Sequence, residues 1–125
     1  MAHEIVREVS RERAVQAFTE TPVPDPRGTS TPESLAAVGV PFELQTSTGS
    51  GVFVLERQGA VLWVTAAAGQ AADDLTDIGL SVIEETARQC GCSHVAFQTS
   101  RRGLVHKSER RSFEVAGWIM KKAVQ

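Results

Sequence analysis

The sequence predicts a mixed α/β (α+β) domain: an antiparallel β-meander, then a parallel strand-helix-strand crossover, with helices on both faces of one central sheet. Three observations carry this expectation. Strand patterns crowd into FELQT (42–46), GVFVLER (51–57) and AVLWVTAAA (60–68), parted only by residues 47–50 and an RQG turn, and spacing this tight suits antiparallel neighbours. From Ala71 the apolar period changes from two to 3.6, with Leu75, Ile78, Gly79, Val82, Ile83, Thr86, Ala87 and Cys90 on one helical face. After Gly91, SHVAFQTS alternates again. A strand, a helix and a strand in succession imply a right-handed crossover joining parallel strands.

The remaining elements follow in order. EIVREV (4–9) is β-branched and alternating enough for a first strand. Ser10 then caps a helix, RERAVQAFTE, with Arg13 where a full capping box would have Glu or Gln. In TPVPDPRGTST (21–31), Pro22, Pro24 and Pro26 exclude regular pairing, so this is a loop. Thr31 and Pro32 form an N-cap and first helical position for PESLAAV (32–38), which Gly39 and Pro41 stop. The third meander strand is apolar on both faces, as in the middle of a covered sheet, and Trp63 is read as core. RRGLVHKSERRS (101–112) makes an amphipathic helix with Leu104, Val105 and Ser108 inward. FEVAGWIMKKAVQ (113–125) is read as one or two final strands, with Gly117 as a bend or bulge.

Composition bounds the class. At 125 residues the chain fits one domain, 1–125, large enough to bury a core without disulfides or metal. With 42% hydrophobic and 22% charged residues it reads as an ordinary globular protein. The absence of a long apolar run or an N-terminal apolar segment argues against a membrane span or secretory signal, and the setting expected is cytoplasmic. Seven Lys and Arg from Arg101 onward face only Glu109 and Glu114, so that segment carries +5 and the first hundred residues −7. No aromatic interleaving accompanies the basic residues, so nucleic acid is not an expected partner.

The stretch ARQCGCSHVAF holds both cysteines. Cys90 closes the apolar stripe and is read as buried, Gly91 as a left-handed helix stop, and Cys92 as the opening of the turn. A disulfide between residues two apart would be strained. Cys90, Cys92 and His94 offer three zinc ligands without a fourth, so no metal is expected.

In this order the elements resemble the GCN5-related N-acetyltransferase superfamily over nearly the whole chain. IVREVSRERAVQAF is similar to that family's opening strand and helix, the helix ending ARQCGC to its central helix, and KSERRSFEVAGWIMKKAV to its closing pattern, with Phe113 in the place of the Phe of a Gly-Phe pair. The Gly-Cys helix end, Arg-Arg-Gly loop and Gly-Trp tail look most like short members encoded by tailed bacteriophages. The resemblance implies a single domain with acetyl-CoA between splayed parallel strands and its pyrophosphate on backbone amides at the start of the central helix, where unpaired N–H groups and the helix dipole favour an anion. The cofactor residues so implied are Ala67, Gly69, Gln70, Ala71 and Ala72, with Arg101 nearby.

The segment AAAGQAADDLTD departs from the family's Arg/Gln-x-x-Gly-x-Gly/Ala pattern, and Asp73, Asp74 and Asp77 bring carboxylates to the same helix start. A carboxylate roughly 5 Å from a pyrophosphate costs about 1–3 kcal/mol. Amine acetylation needs a base for the amine and an acid for the departing thiolate. Glu56 is the candidate base. The family's acid is commonly a tyrosine at the position of Ser108; this chain has no tyrosine, and His106 is the nearest substitute. Two functions are therefore carried forward: an acetyl-CoA-dependent N-acyltransferase acting on an amine, and a non-catalytic phage structural or host-interaction protein, in the host cytoplasm, partnered by a second copy or by virion proteins.

Overall fold

The computed structural model describes residues 5–23, 30–71 and 75–124. Its elements are β1 (Ile5–Glu8), α1 (Arg11–Glu20), α2 (Pro32–Ala37), β2 (Val40–Gln45), β3 (Gly49–Gln58), β4 (Val61–Ala71), α3 (Leu75–Gln89), β5 (His94–Phe97) and α4 (Arg102–Glu109). The five strands form one sheet in the order β1-β2-β3-β4-β5. The first four pair antiparallel, whereas β4 and β5 pair parallel, so the meander and the crossover expected from the sequence are both present.

Local chemistry sets the helix ends. Ser10 Oγ accepts the Arg13 amide, and Thr31 and Ser34 close a reciprocal capping box ahead of Pro32. At the end of α3, Gly91 adopts φ +73°, the Cys92 amide donates to Ala87 O at 2.8 Å, and Cys92 packs in the same cluster as Ala87. This is a Schellman ending. It corrects the reading of the cysteines: α3 stops at Gln89, the chain reverses at Gly91, and Cys92 is the buried one while Cys90 is exposed. The end of α4 repeats the pattern with Ser112 at φ +70°, where Phe113 N donates to Ser108 O.

The core has two halves. On one face of the sheet Ala14, Phe18, Leu35 and Ala36 of α1 and α2 meet Val52, Val54 and Ala66. On the other, Ile83 and Ala87 of α3 meet Leu44, Phe53, Leu55 and Leu62. Two further boundaries differ from expectation. The strand β4 runs on to Ala71 because it keeps its ladder with β3 as far as Gly49, so α3 opens at Leu75 rather than Ala71. Residues 113–124 form no strand; Val115, Trp118, Ile119, Met120 and Val124 are exposed.

One charge is buried in the meander. Glu43 on β2 is 3% exposed and receives Arg7 from β1 at 3.0 Å, Arg13 from α1 at 2.9 Å and Gln45 at 3.1 Å. Desolvation alone would raise its pKa, but the hydrogen bonds and charges of Arg7 and Arg13 outweigh burial and hold it below the usual carboxylate value. A carboxylate depressed on folding contributes stability above its unfolded pKa and loses it as pH falls through the folded value. Urea midpoints measured downward from pH 7 are therefore expected to fall below about pH 4.5, and Glu43→Gln should flatten that dependence. An unchanged pH profile in the variant would contradict the assignment.

Candidate active-site cleft

The cleft is built around an irregularity in β4. Val54 of β3 faces Ala66 and Leu55 faces Val64, which leaves Thr65 as an extra residue, a β-bulge. Side chains alternate along a strand, and the extra residue reverses the alternation. Leu62 and Val64 pack on the α3 side, whereas Ala66 and Ala68 pack on the α1–α2 side. Thr65 ties its own hydroxyl back to Val54 O at 3.3 Å.

The parallel partner stops at the same level. β5 pairs only Val61 to Val64 with His94 to Phe97, while β4 continues to Ala71 paired to β3 alone. Beyond Thr65 the β5 side of β4 is thus a free edge among the described residues, and a cleft of about 710 Å³ opens along it. Its walls include Leu35 and Val38 by α2, Gly79, Leu80 and Ile83 on α3, and Arg101 and Leu104 by α4. From Trp63 to Gly69 the floor is roughly 20 Å long at 3.3 Å per strand residue.

Small residues keep this floor open. Gly69 lies opposite Gly51, and a Cβ built on it would stand 2.6 Å from Gly51 Cα, 2.7 Å from Ser50 O and 3.0 Å from Leu75 Cδ1. The first turn of α3 therefore sits directly over the β3–β4 pair. Gly79 is different: a Cβ there meets nothing within 4 Å, and the residue lines the cleft from the middle of α3. Glycine inside a helix costs about 1 kcal/mol relative to alanine, and here it leaves room in the cleft.

The proposed site residues divide. Glu56, half-buried and opposite Trp63, lines the cleft, as do Ala67, Gly69 and Arg101. Trp63 is also half-buried in the lining, not enclosed in the core as expected. Gln70 and Ala71 lie in β4, paired in register with Ser50 and Gly49. Ala72, Asp73 and Asp74 fall outside the described residues. Asp77, in the first turn of α3, stands 3.6 Å from Arg111, which also binds Glu84 at 2.7 Å and Ser81 at 2.9 Å. That clamp holds the end of α4 on α3.

His106 and Ser108 are not among the cleft's lining residues. The His106 ring is mostly exposed and 3.8 Å from Glu109. Ser108 is buried on α4, its hydroxyl without a hydrogen-bond partner among the described residues. Of the three residues read as proton carriers, Glu56 alone borders the cleft. Gly79 went unassigned in the sequence; a glycine inside an amphipathic helix was the available signal. Among the described residues no three His, Cys, Asp or Glu converge to hold a metal ion.

Solved structures share this fold. Glucosamine-6-phosphate N-acetyltransferase from Arabidopsis thaliana superposes over 98% of this chain and 99% of its own, with a TM-score of 0.58 at 13% identity. An aminoglycoside N-acetyltransferase in complex with CoA matches over 100% and 97%, with a TM-score of 0.57 at 10% identity. A Trypanosoma brucei acetyltransferase matches over 98% and 100%, at 0.55 and 13%. The fold is that of the GCN5-related N-acetyltransferases. No protein-family model matches the sequence, and no curated protein sequence matches it.

Within this GNAT-like fold, Gly69 is the residue on which the floor depends. Gly69→Ala forces the β3–β4 backbones or Leu75 to shift and is expected to destabilise the chain by about 1–3 kcal/mol, the usual cost of overpacking. Chemical denaturation checks this; a variant as stable as the parent would contradict the close approach.

Proposed function

We propose that the cleft binds acetyl-CoA and that the chain is an N-acyltransferase acting on an amine. The observation that carries the reading is the free edge of β4 beyond Thr65, left open where β5 ends at Phe97. A strand edge presents unpaired N–H and C=O groups, and the pantetheine arm of CoA, with two amides in an extended chain, is a ligand able to pair with them as a short strand would. The groove's length and mostly apolar walls suit such an arm, and Gly79 leaves space for it. The aminoglycoside enzyme and its CoA complex, on the same fold, support the choice of cofactor and of an amine acceptor.

When bound, acetyl-CoA would supply the activated acetyl group as a thioester. The chain's own residues do the rest. The backbone of Ala67, Gly69, Gln70, Ala71 and Ala72 is proposed to receive the arm and its pyrophosphate, with Arg101 contributing positive charge from the α4 side. Asp77, drawn to Arg111, presents less negative charge to that end. Glu56, with Trp63 beside it, is proposed to accept the amine's proton; these two residues mark the acceptor end of the groove. No tyrosine exists to protonate the thiolate, and neither Ser108 nor His106 borders the cleft, so that proton is assigned to solvent.

A second reading is a non-catalytic phage structural or host-interaction protein on the same fold; the placement of Ser108 and His106 outside the cleft lining supports its lack of catalysis. Calorimetry and a thiol-release assay across an amine panel separate the two. Acetyl-CoA is expected to bind the parent chain and to release CoA with an amine present. Gly79→Leu should abolish binding while keeping or raising thermal stability, because it fills the groove and removes a helix glycine. Glu56→Gln should leave binding intact and lower transfer by about 10²–10⁴-fold. Binding with no transfer to any amine would select the second reading; no binding at all, or undiminished binding by Gly79→Leu, would overturn the cleft assignment.

A further inference from the structure

One carboxylate in the cleft is left without a partner. Buried Glu43 is met by Arg7 and Arg13, but half-buried Glu56 pairs with no Lys, Arg or His among the described residues. Its neighbour Arg57 turns away, donating to the carbonyls of Gly59 at 3.0 Å and Cys90 at 2.8 Å. A carboxylate held this way favours a charged hydrogen-bond donor brought from outside.

The surroundings of that carboxylate are apolar. Strand alternation places Glu56 on the same face as Val52 and Val54, toward α1 and α2, and Trp63 shares that face directly opposite it. Side chains paired in this way across two strands have Cβ atoms about 4.5–5.5 Å apart. On the other flank, Gly39 lies against the β3 backbone, where a Cβ on it would be 3.2 Å from Glu56 N. Val38, the residue before it, lines the cleft and is 50% exposed. Glu56 thus lies between the strand carrying Trp63 and the segment carrying Val38. Arg101, ahead of α4, is the only other charge among the described lining residues.

From these features we infer that the acceptor is an apolar monoamine of the arylalkylamine class, its single ammonium on Glu56 and its hydrocarbon body against Trp63 and Val38. The inference rests on the acceptor end assigned above and names what that end selects. At neutral pH a primary alkylamine is an ammonium, and an indole face attracts a cation as well as covering an aromatic ring. Polyamines fit poorly, because each further ammonium would leave water with no described carboxylate to meet it. An amino acid fits poorly too, because the carboxylate beside its amine would be repelled by Glu56.

The indole of Trp63 is itself the probe. Trp63 and Trp118 are the chain's two tryptophans, and Trp118 is 90% exposed, so Trp118→Phe leaves Trp63 as the sole indole without disturbing the core. Its fluorescence is titrated with phenethylamine, phenethyl alcohol, ethanolamine, spermidine and phenylalanine, each with and without CoA. Calorimetry measures CoA binding separately and repeats the amine ranking on the parent chain. Phenethylamine is expected to saturate the signal and to bind about tenfold or more tightly than ethanolamine, spermidine or phenylalanine. Glu56→Gln should weaken phenethylamine about tenfold or more and leave phenethyl alcohol unchanged. No response to phenethylamine in either condition would overturn the inference, as would equal binding of spermidine or phenylalanine, or a Glu56→Gln variant that holds phenethylamine as well as the parent does. An amine response without any CoA binding would sink the acyltransferase reading and leave this one standing; CoA binding without an amine response would do the reverse.

Discussion

At Thr65, β4 carries one residue more than the strand it pairs with, and the side chains beyond it change faces. Leu62 and Val64 serve the α3 half of the core; Ala66 and Ala68 serve the α1–α2 half. A bulge also bends and twists its strand. β5, only four residues long, follows β4 as far as Val64 and no further. The free edge and the cleft along it are thus two results of the same extra residue, and the small side chains of Ala66 to Gly69 keep the opened backbone uncovered.

The walls depend on how the helices end. Gly91 reverses the chain after α3, buries Cys92 and sends β5 back beside β4. Ser112 does the same after α4, in a conformation that costs a non-glycine residue about 1–2 kcal/mol. The contacts around it offset that cost: Arg111 reaches Ser81 and Glu84 on α3, and Phe113 meets Phe97. The clamp sets α4, with Leu104 and its preceding Arg101, as the wall opposite α2. On the far side of the sheet Glu43 performs a comparable task, joining β1, β2 and α1 through Arg7 and Arg13.

Most elements were legible because their signals are local. Ser10, Thr31 with Pro32, and Gly91 act on backbone groups within a few residues, and the change of apolar period at the start of α3 needs no distant partner. The bulge was hidden for a related reason: VLWVTAAA is apolar on both faces, so no broken alternation marked Thr65. Cys90 fits the helical stripe on a wheel, but the helix stops one residue before it. The expected closing strands are not formed: FEVAGWIMKK has strand character, but residues 113–124 pair with no strand among the described residues. At the site, Glu56, Ala67, Gly69 and Arg101 reached the cleft. Ser108 and His106 were placed by analogy of spacing along α4, and the helix turns them elsewhere.

Backbone amide exchange along residues 65–71, followed residue by residue with and without saturating CoA, tests the free edge most directly. The amides turned away from β3 should exchange rapidly in the free protein and slow when CoA binds. Protection of those amides before any ligand is added, or CoA-induced slowing confined to other parts of the chain, would contradict the account.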